Sequence, residues 1–197
     1  MIRKVVFLVL MITILFSCKK RTEVEAITEA YFYEIRYRDS DKIDYSYRLY
    51  ESSADTLKIK ALAYDVLGNE LKRHGDGGFY LKSENKLYML EGLKSNPSLG
   101  EIVYDFSKKD CTRYFHPFHR QVTNCFIGKT VDDKYKFSST QNATDGYDWE
   151  IILDKNYRLI EKRSRSPLEN FRSEIRVDKS KVPETVVNKV LSSPHSH

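Results

Sequence analysis

Two cysteines and two histidines lie close together in one stretch of the chain, in the pattern Cys111-x4-His116-x2-His119-x5-Cys125. Such a set could hold zinc, which takes four cysteine or histidine ligands in a tetrahedral arrangement. The two cysteines could instead form a disulfide, as they do in an oxidising compartment. The spacing matches no established zinc motif, and Pro117 between the histidines favours a turn. The choice between the two chemistries therefore depends on where the protein works.

Other segments resemble catalytic or phosphate-binding motifs but lack the setting that the chemistry needs. Gly128-Lys129-Thr130 resembles the end of a phosphate-binding loop, yet Thr123 replaces the first glycine and the segment joins two predicted strands. Ser83-x-x-Lys86 resembles the nucleophile motif of penicillin-binding enzymes, but it falls in a predicted hairpin turn. The paired carboxylates also fall in turn-rich sequence, where aspartate is common; they are Asp39 with Asp41, Asp132 with Asp133, and Asp145 with Asp148. We predict no catalytic residue.

The first residues of the chain form a segment typical of a secretory signal. Arg3 and Lys4 give it a basic start, residues 5–16 are almost all apolar, and Leu15-Phe16-Ser17-Cys18 ends it. Twelve residues in a helix reach roughly 18 Å, whereas a membrane span needs about 20 residues, so the run is too short for a permanent span. The last four residues resemble the lipobox of bacterial lipoproteins, although Phe16 departs from the small residue usual there. The alternative is an ordinary secretory peptide.

The resemblance to bacterial lipoproteins implies that Cys18 is diacylated and becomes the new N-terminus. Two or three acyl chains hold a protein firmly on a membrane, so the mature chain should be lipid-anchored. Lys19 follows the cysteine, and no aspartate is there to retain the protein in the inner membrane. The basic run Lys19-Lys20-Arg21 favours the periplasmic face of the outer membrane, with the cell surface as the alternative. In this oxidising envelope we predict a disulfide between Cys111 and Cys125, and zinc or free thiols remain alternatives.

Charge gives little indication of a nucleic-acid partner. The formal net charge of +5 falls to +3 once the two basic residues of the leader are removed. The remaining charges of both signs are interspersed, which is typical of a solvated surface and unlike a nucleic-acid footprint. We therefore predict no nucleic-acid partner, and the sequence indicates no cofactor and no metal site.

Alternation of apolar and polar residues predicts strands along most of the chain. The 14 tyrosines and 10 phenylalanines fall mainly in short runs of this kind. Tyr33 to Tyr37 and Tyr45 to Leu49 alternate on either side of the turn-forming residues 39–42, which predicts a hairpin. A helix over residues 22–35, opened by a capping box, competes for the first strand. Pro183 before Val186, Val187 and Val190 predicts a short terminal helix. Further strands are predicted at residues 57–66, 70–73, 78–82, 87–91, 101–106, 120–127, 134–139, 148–153, 158–164 and 171–177.

The predicted fold class is mainly β: an antiparallel meander of about 10–12 strands with a short C-terminal helix. So many strands must curl, close as a half-barrel or barrel, or fold over as a sandwich. Together with the leader, this meander resembles the lipoprotein-carrier proteins, whose curved half-barrel holds acyl chains, and the resemblance covers architecture only. We assign residues 1–17 to the signal peptide, 18–30 to the lipidated cysteine and tether, 31–191 to one β-rich domain, and 192–197 to a disordered tail.

A secure anchor joined to a fold without a catalytic set indicates a non-enzymatic envelope lipoprotein that binds a protein or cell-wall partner, immunity proteins included. A carrier of lipid or another hydrophobic ligand is the alternative, followed by an enzyme acting on glycans or peptidoglycan. Trp149 and the tyrosines around it could stack on sugars or line an apolar cavity, although ordinary packing on strands also explains them.

Overall fold

The computed structural model describes residues 26–71, 77–90, 101–107, 110–116, 120–141 and 146–193. Within these ranges the alternating segments form strands, separated by turns rich in aspartate, asparagine, glycine and serine. The strands are β1 (Ile27–Tyr37), β2 (Ile43–Ser52), β3 (Thr56–Tyr64), β4 (Gly78–Ser83), β5 (Lys86–Met89), β6 (Ile102–Asp105), β7 (Cys111–His116), β8 (Arg120–Lys129), β9 (Tyr135–Gln141), β10 (Asp148–Leu153), β11 (Leu159–Ser164) and β12 (Phe171–Val177). A 3-10 turn (Lys179–Lys181) and helix α1 (Glu184–Ser192) follow.

All twelve strands belong to one antiparallel sheet that is nearly closed and barrel-like. Most neighbours in the sheet are also neighbours in sequence, but β1 pairs with β12 as well as with β2. The two remaining edge strands, β6 and β7, meet along a seam. There the hydroxyl of Thr112 and the amide Nδ2 of Asn124 both donate to the carbonyl of Val103, at 2.8 and 2.9 Å. The predicted mainly β meander is confirmed, and of the forms considered for it the sheet takes the curled, nearly closed one.

The two ends of this barrel-like sheet differ. The register places the start of β1 at the same end as the turns β2–β3, β4–β5, β8–β9 and β10–β11, which we call the turn end. The opposite end, called the loop end, carries the two longest connections, residues 65–77 and 90–101, together with residues 142–147 and 165–170. The chain therefore enters the sheet at the end with the shorter connections.

Aromatic rings fill the inside of the sheet near the turn end. Phe106 packs edge-on against the rings of Tyr135, Phe137 and Tyr157, with centroid distances of 4.7 to 5.1 Å. Phe126 contacts Phe137 at 5.3 Å. Edge-to-face geometry is the arrangement that aromatic quadrupoles favour, so the cluster stabilises this part of the core beyond the burial of its surface. We call these five residues the aromatic cluster.

A second apolar cluster lies outside the sheet, beneath α1. Val186 and Val190 of the helix are fully buried against the outer face of β1, β2 and β3, where Tyr45 and Tyr47 belong to the same cluster. The helix also fixes the connection after β3. Gly68 there has φ of +79°, and a Cβ on it would lie 3.0 Å from the carbonyl oxygen of Thr185. Glycine suits this position because the backbone is left-handed and the helix is close.

Several sequence predictions on element bounds need correction. β1 begins at Ile27, so residues 27–30 of the predicted tether belong to the sheet, and the competing helix is wrong from Ile27 onward. Residues 70–73 were predicted as a strand, but Glu70 makes only an isolated bridge to Tyr64 and residues 72–73 lie outside the described ranges. Strand β7 was not predicted at all. Ser192 ends α1 rather than opening a tail. The leader and Cys18 lie outside the described residues.

None of the helices in the described ranges combines the length and the apolar character that crossing a bilayer would take.

Candidate functional site

Cys111 and Cys125 form a disulfide, as predicted. The two residues lie directly opposite each other on β7 and β8, and their Cα atoms are 4.0 Å apart. Because both sulfurs take part in this bond, neither is available as a thiolate, and the zinc and free-thiol alternatives are wrong for this state. His119 and the side chain of His116 lie outside what the structure describes.

Removing the bridge should destabilise the fold measurably. Replacing both Cys111 and Cys125 by serine should lower the free energy of unfolding by about 3 kcal/mol, because the unfolded chain regains the freedom of the loop between them. Urea denaturation of the purified domain measures the change. The matched test is the native protein with and without reductant, which should show a shift of similar size. Equal stability in both states would show that the β7–β8 ladder alone holds these strands.

Polar side chains form a compact group on the inner wall of the sheet, towards the loop end. Successive cross-strand pairs place four of them side by side across β8 to β11, in the order Asn124, Ser139, Trp149, Ser164. Directly opposite side chains on neighbouring strands have Cβ atoms about 5 Å apart. Gln141 lies two residues beyond Ser139 on the same face of β9, diagonal to Asn124. We call these five residues the inner polar patch.

The indole of Trp149 is fixed by its surroundings. Its Nε1 donates to the carboxylate of Glu169 at 3.0 Å, and the hydroxyl of Ser164 donates to the same oxygen at 2.7 Å. The ring of Tyr147 stacks on Trp149 with a centroid distance of 4.9 Å and an interplanar angle of 10°. The ammonium of Lys162 lies 3.5 Å from the centroid of the indole ring, a cation–π contact. Trp149 is therefore a preorganised element of the patch.

Two amide oxygens of the patch are buried without a hydrogen-bond partner. Asn124 is 1% exposed, and since its Nδ2 donates to the carbonyl of Val103, its Oδ1 must be the acceptor that faces the other way. The Oε1 of Gln141 is likewise buried and unpartnered. A buried acceptor without a donor costs on the order of 1–3 kcal/mol. These two oxygens are the strongest indication of a ligand position in the described part of the chain.

Charged residues follow on the inner wall, closer to the turn end. Arg48 and Glu174 form a buried, bidentate ion pair at 2.8 and 2.9 Å, and the hydroxyl of Ser46 donates to the same carboxylate at 2.6 Å. Lys162 lies directly opposite Glu174 on β11. Asp44 accepts from the hydroxyl of Tyr37 at 2.6 Å. The inside of the sheet thus holds a charged layer next to the inner polar patch, and we call Arg48, Glu174, Lys162 and Asp44 the ionic layer.

Two buried tyrosines connect this layer to β11. The hydroxyl of Tyr33 donates to the carbonyl of Leu159 at 2.8 Å, and the backbone N–H of Leu159 donates to the hydroxyl of Tyr50 at 3.2 Å. The two hydroxyls lie 3.1 Å apart, so that of Tyr50 donates to that of Tyr33. Burial raises the pKa of Tyr33 far above its ordinary value, and the neighbouring Tyr50 raises it further. Tyr33 therefore stays neutral and acts as a structural donor.

The segments that the sequence analysis set aside lie where it expected them. Lys129 ends β8 and Ser83 ends β4, so neither segment opens a helix. Asp132 and Asp133 lie in the exposed β8–β9 turn and pair with neighbouring lysines. Asp39 and Asp41 lie in the β1–β2 turn, and Asp145 is outside the described ranges. Of the inner polar patch, the sequence analysis singled out only Trp149.

Comparisons of the chain with protein-family models, with curated proteins and with solved structures found no match.

Proposed function

We propose that this protein is a lipid-anchored envelope lipoprotein with a non-enzymatic binding role, and that it engages a protein or cell-wall partner at the loop end of its sheet. An immunity-type role is included in this proposal. The anchor is the lipidated Cys18 predicted from the leader, on the periplasmic face of the outer membrane. The single observation that carries the proposal is the arrangement of the two ends of the sheet.

The two ends support an orientation relative to the membrane. Eight residues, 19–26, separate the proposed lipid anchor Cys18 from the start of β1, and the fully extended chain from residue 18 to residue 27 spans roughly 30 Å at most. The turn end is therefore kept near the membrane, while the loop end, on the far side of the sheet, is directed away from it. Long connections carried by a rigid scaffold commonly form binding surfaces.

The charges inside the sheet support a structural rather than a catalytic interior. Arg48 and Glu174 satisfy each other, and Asp44 is bound by Tyr37 and by Lys42 at 3.1 Å. These carboxylates are engaged by protein groups, whereas a general acid or base must lie within hydrogen-bond reach of its substrate. Binding at the loop end is thus better supported than turnover inside the sheet.

Two fully exposed aliphatic residues at opposite ends provide a matched test of the orientation. Leu168 lies at the loop end and Val131 at the turn end. The variants Leu168→Cys and Val131→Cys each carry a single new thiol, to which a photocrosslinker is attached in intact cells. Position 168 should give adducts with an envelope protein or the cell wall, and position 131 should give mainly lipid adducts. The same macromolecular adducts from both positions, or from position 131 alone, would contradict the proposal.

A hydrophobic-ligand carrier is the second candidate, because the strongly curved sheet of twelve strands has a wider interior than an eight-stranded one. The aromatic cluster occupies the space near the turn end that an acyl chain would need. Lipid bound to protein from its own host, detected by native mass spectrometry, would favour the carrier over the leading proposal.

A further inference from the structure

We propose that the inner polar patch binds a neutral saccharide unit that enters from the loop end. This inference rests on the proposed binding role and names the chemistry of the ligand. Its starting observation is the pair of unpartnered, buried amide oxygens, Asn124 Oδ1 and Gln141 Oε1.

The two oxygens lie within reach of one small ligand. Asn124 is directly opposite Ser139 in the β8–β9 ladder, and Gln141 is two residues further along the same strand face. Diagonal neighbours of this kind are about 7–8 Å apart, close to the width of one hexose ring. Both atoms accept hydrogen bonds, so the ligand must donate at least two. Hydroxyl groups on opposite sides of one sugar ring have that chemistry and can together reach both oxygens.

The patch also favours a neutral ligand over a charged one. Amide oxygens carry no net charge, and the charged groups described beside the patch already have partners: Glu169 accepts from Trp149 and Ser164, and Lys162 lies over Trp149 and directly opposite Glu174. A cationic ligand would lie close to this ammonium, whereas an anionic ligand would meet two acceptor oxygens. Hydroxyl groups avoid both conflicts.

An aromatic surface borders the oxygens. Tyr147 and Trp149 stack in parallel, and the backbone N–H of Gln141 donates to the carbonyl of Tyr147 at 2.9 Å, which ties the stack to the amide. Sugars present an apolar C–H face as well as hydroxyls, and aromatic rings are suited to the apolar face. Because Tyr147 stacks on Trp149 and Lys162 lies over the indole, the ring that would meet the apolar face of the sugar is that of Tyr147, through its face turned away from Trp149.

The inner face of β3 carries small side chains opposite the charged side of β2. Ala61 and Ala63 face inward, since they are paired with Arg48 and Ser46 of the charged side of β2. Twelve strands enclose more space than the eight that side chains just fill, so small residues here widen the interior.

Trp149 is the only tryptophan of the chain, so its fluorescence reports on the patch directly. The probes are neutral oligosaccharides of glucose and of N-acetylglucosamine, with insoluble peptidoglycan as a second arm that separates a wall polymer from a free sugar. At least one soluble probe should change the fluorescence saturably in the mature, folded protein. No saturable change with any probe up to roughly 10 mM would overturn the inference and leave water as the partner of the two oxygens.

Gln141→Met tests the assignment, because methionine keeps the length of the side chain and removes the acceptor. We expect affinity to fall about tenfold, the effect of one hydrogen bond to a buried group. Gln121→Met, on the opposite face of neighbouring β8, is the matched control and should bind as the native protein does. Equal binding by native protein and Gln141→Met would place the sugar elsewhere and contradict the inference. Membrane anchoring is measured separately: an anchored protein without sugar binding refutes only this inference, and an unanchored sugar binder refutes the proposed function.

Discussion

Glu174→Gln should lower the free energy of unfolding by roughly 3–5 kcal/mol, because it leaves the guanidinium of Arg48 buried without its counter-charge. The two side chains are 6% and 7% exposed, so water cannot replace the lost carboxylate. The substitution also removes the negative charge beside Ser46 and Lys162, since the hydroxyl of Ser46 bonds Glu174 and Lys162 lies directly opposite it. Urea denaturation at neutral pH measures the change.

Glu51→Gln is the matched control for Glu174→Gln. Glu51 pairs with Lys58 and Lys60 on the outer face of the sheet, where all three side chains are partly exposed, and the loss should stay under about 1 kcal/mol. The double variant Arg48→Met with Glu174→Leu should recover much of the stability lost by Glu174→Gln, because it removes both charges and keeps the volume. A cost of less than about 1 kcal/mol for Glu174→Gln would show that water enters the inside of the sheet and solvates the ionic layer.

Cys18→Ser should abolish membrane anchoring, because serine offers no thiol for the acyl chains. The variant should accumulate as an uncleaved precursor or as soluble protein that lacks the acyl mass. Cell fractionation with intact-mass spectrometry measures both outcomes. Each acyl chain contributes about 0.8 kcal/mol per buried CH2 group, so losing two or three chains removes the anchor altogether rather than weakening it.

Ser17→Ala is the control for Cys18→Ser. It changes the neighbouring residue to another small one and leaves the acceptor thiol, so processing and acylation should continue. Recovery of the Cys18→Ser protein in the membrane with normal cleavage would refute the lipid anchor. The chain would then be a secreted protein with an ordinary signal peptide.

The hairpins could be predicted from the sequence because their signals are local. The turn at residues 39–42 between two alternating runs defines β1 and β2, and β12 was predicted with the bounds it has, Phe171–Val177. Closure could not be predicted in this way. The pairing of β1 with β12 joins segments from opposite ends of the chain, and no local pattern specifies it.

Strand β2 shows why the site escaped prediction. Tyr45, Tyr47 and Leu49 alternate with polar residues, a pattern that usually marks the polar face as the exposed one. Both faces are buried here, because α1 covers the apolar face from outside and the polar face points into the sheet. Polar residues on strands, such as Asn124 and Gln141, look like solvent-facing positions for the same reason. Of the inner polar patch, only Trp149 could be named as a candidate binding residue from the sequence, because tryptophan is a rare residue type.

The pairing of β1 with β12 has a consequence for the order of folding. Among the described strands, ten of the eleven ladders join strands that follow each other in sequence, and the ladder β1–β12 is the one that connects the first strand with the last. Contacts of such high sequence separation slow folding, since a long stretch of chain must be ordered before they form. In spatial order the sheet is a meander that runs from β7 to β12 and continues from β1 to β6. The covalent chain is interrupted between β12 and β1, in the middle of this order. A circular permutant that joins the native termini and begins at β7 would restore that linear order, making every ladder local while keeping the same sheet.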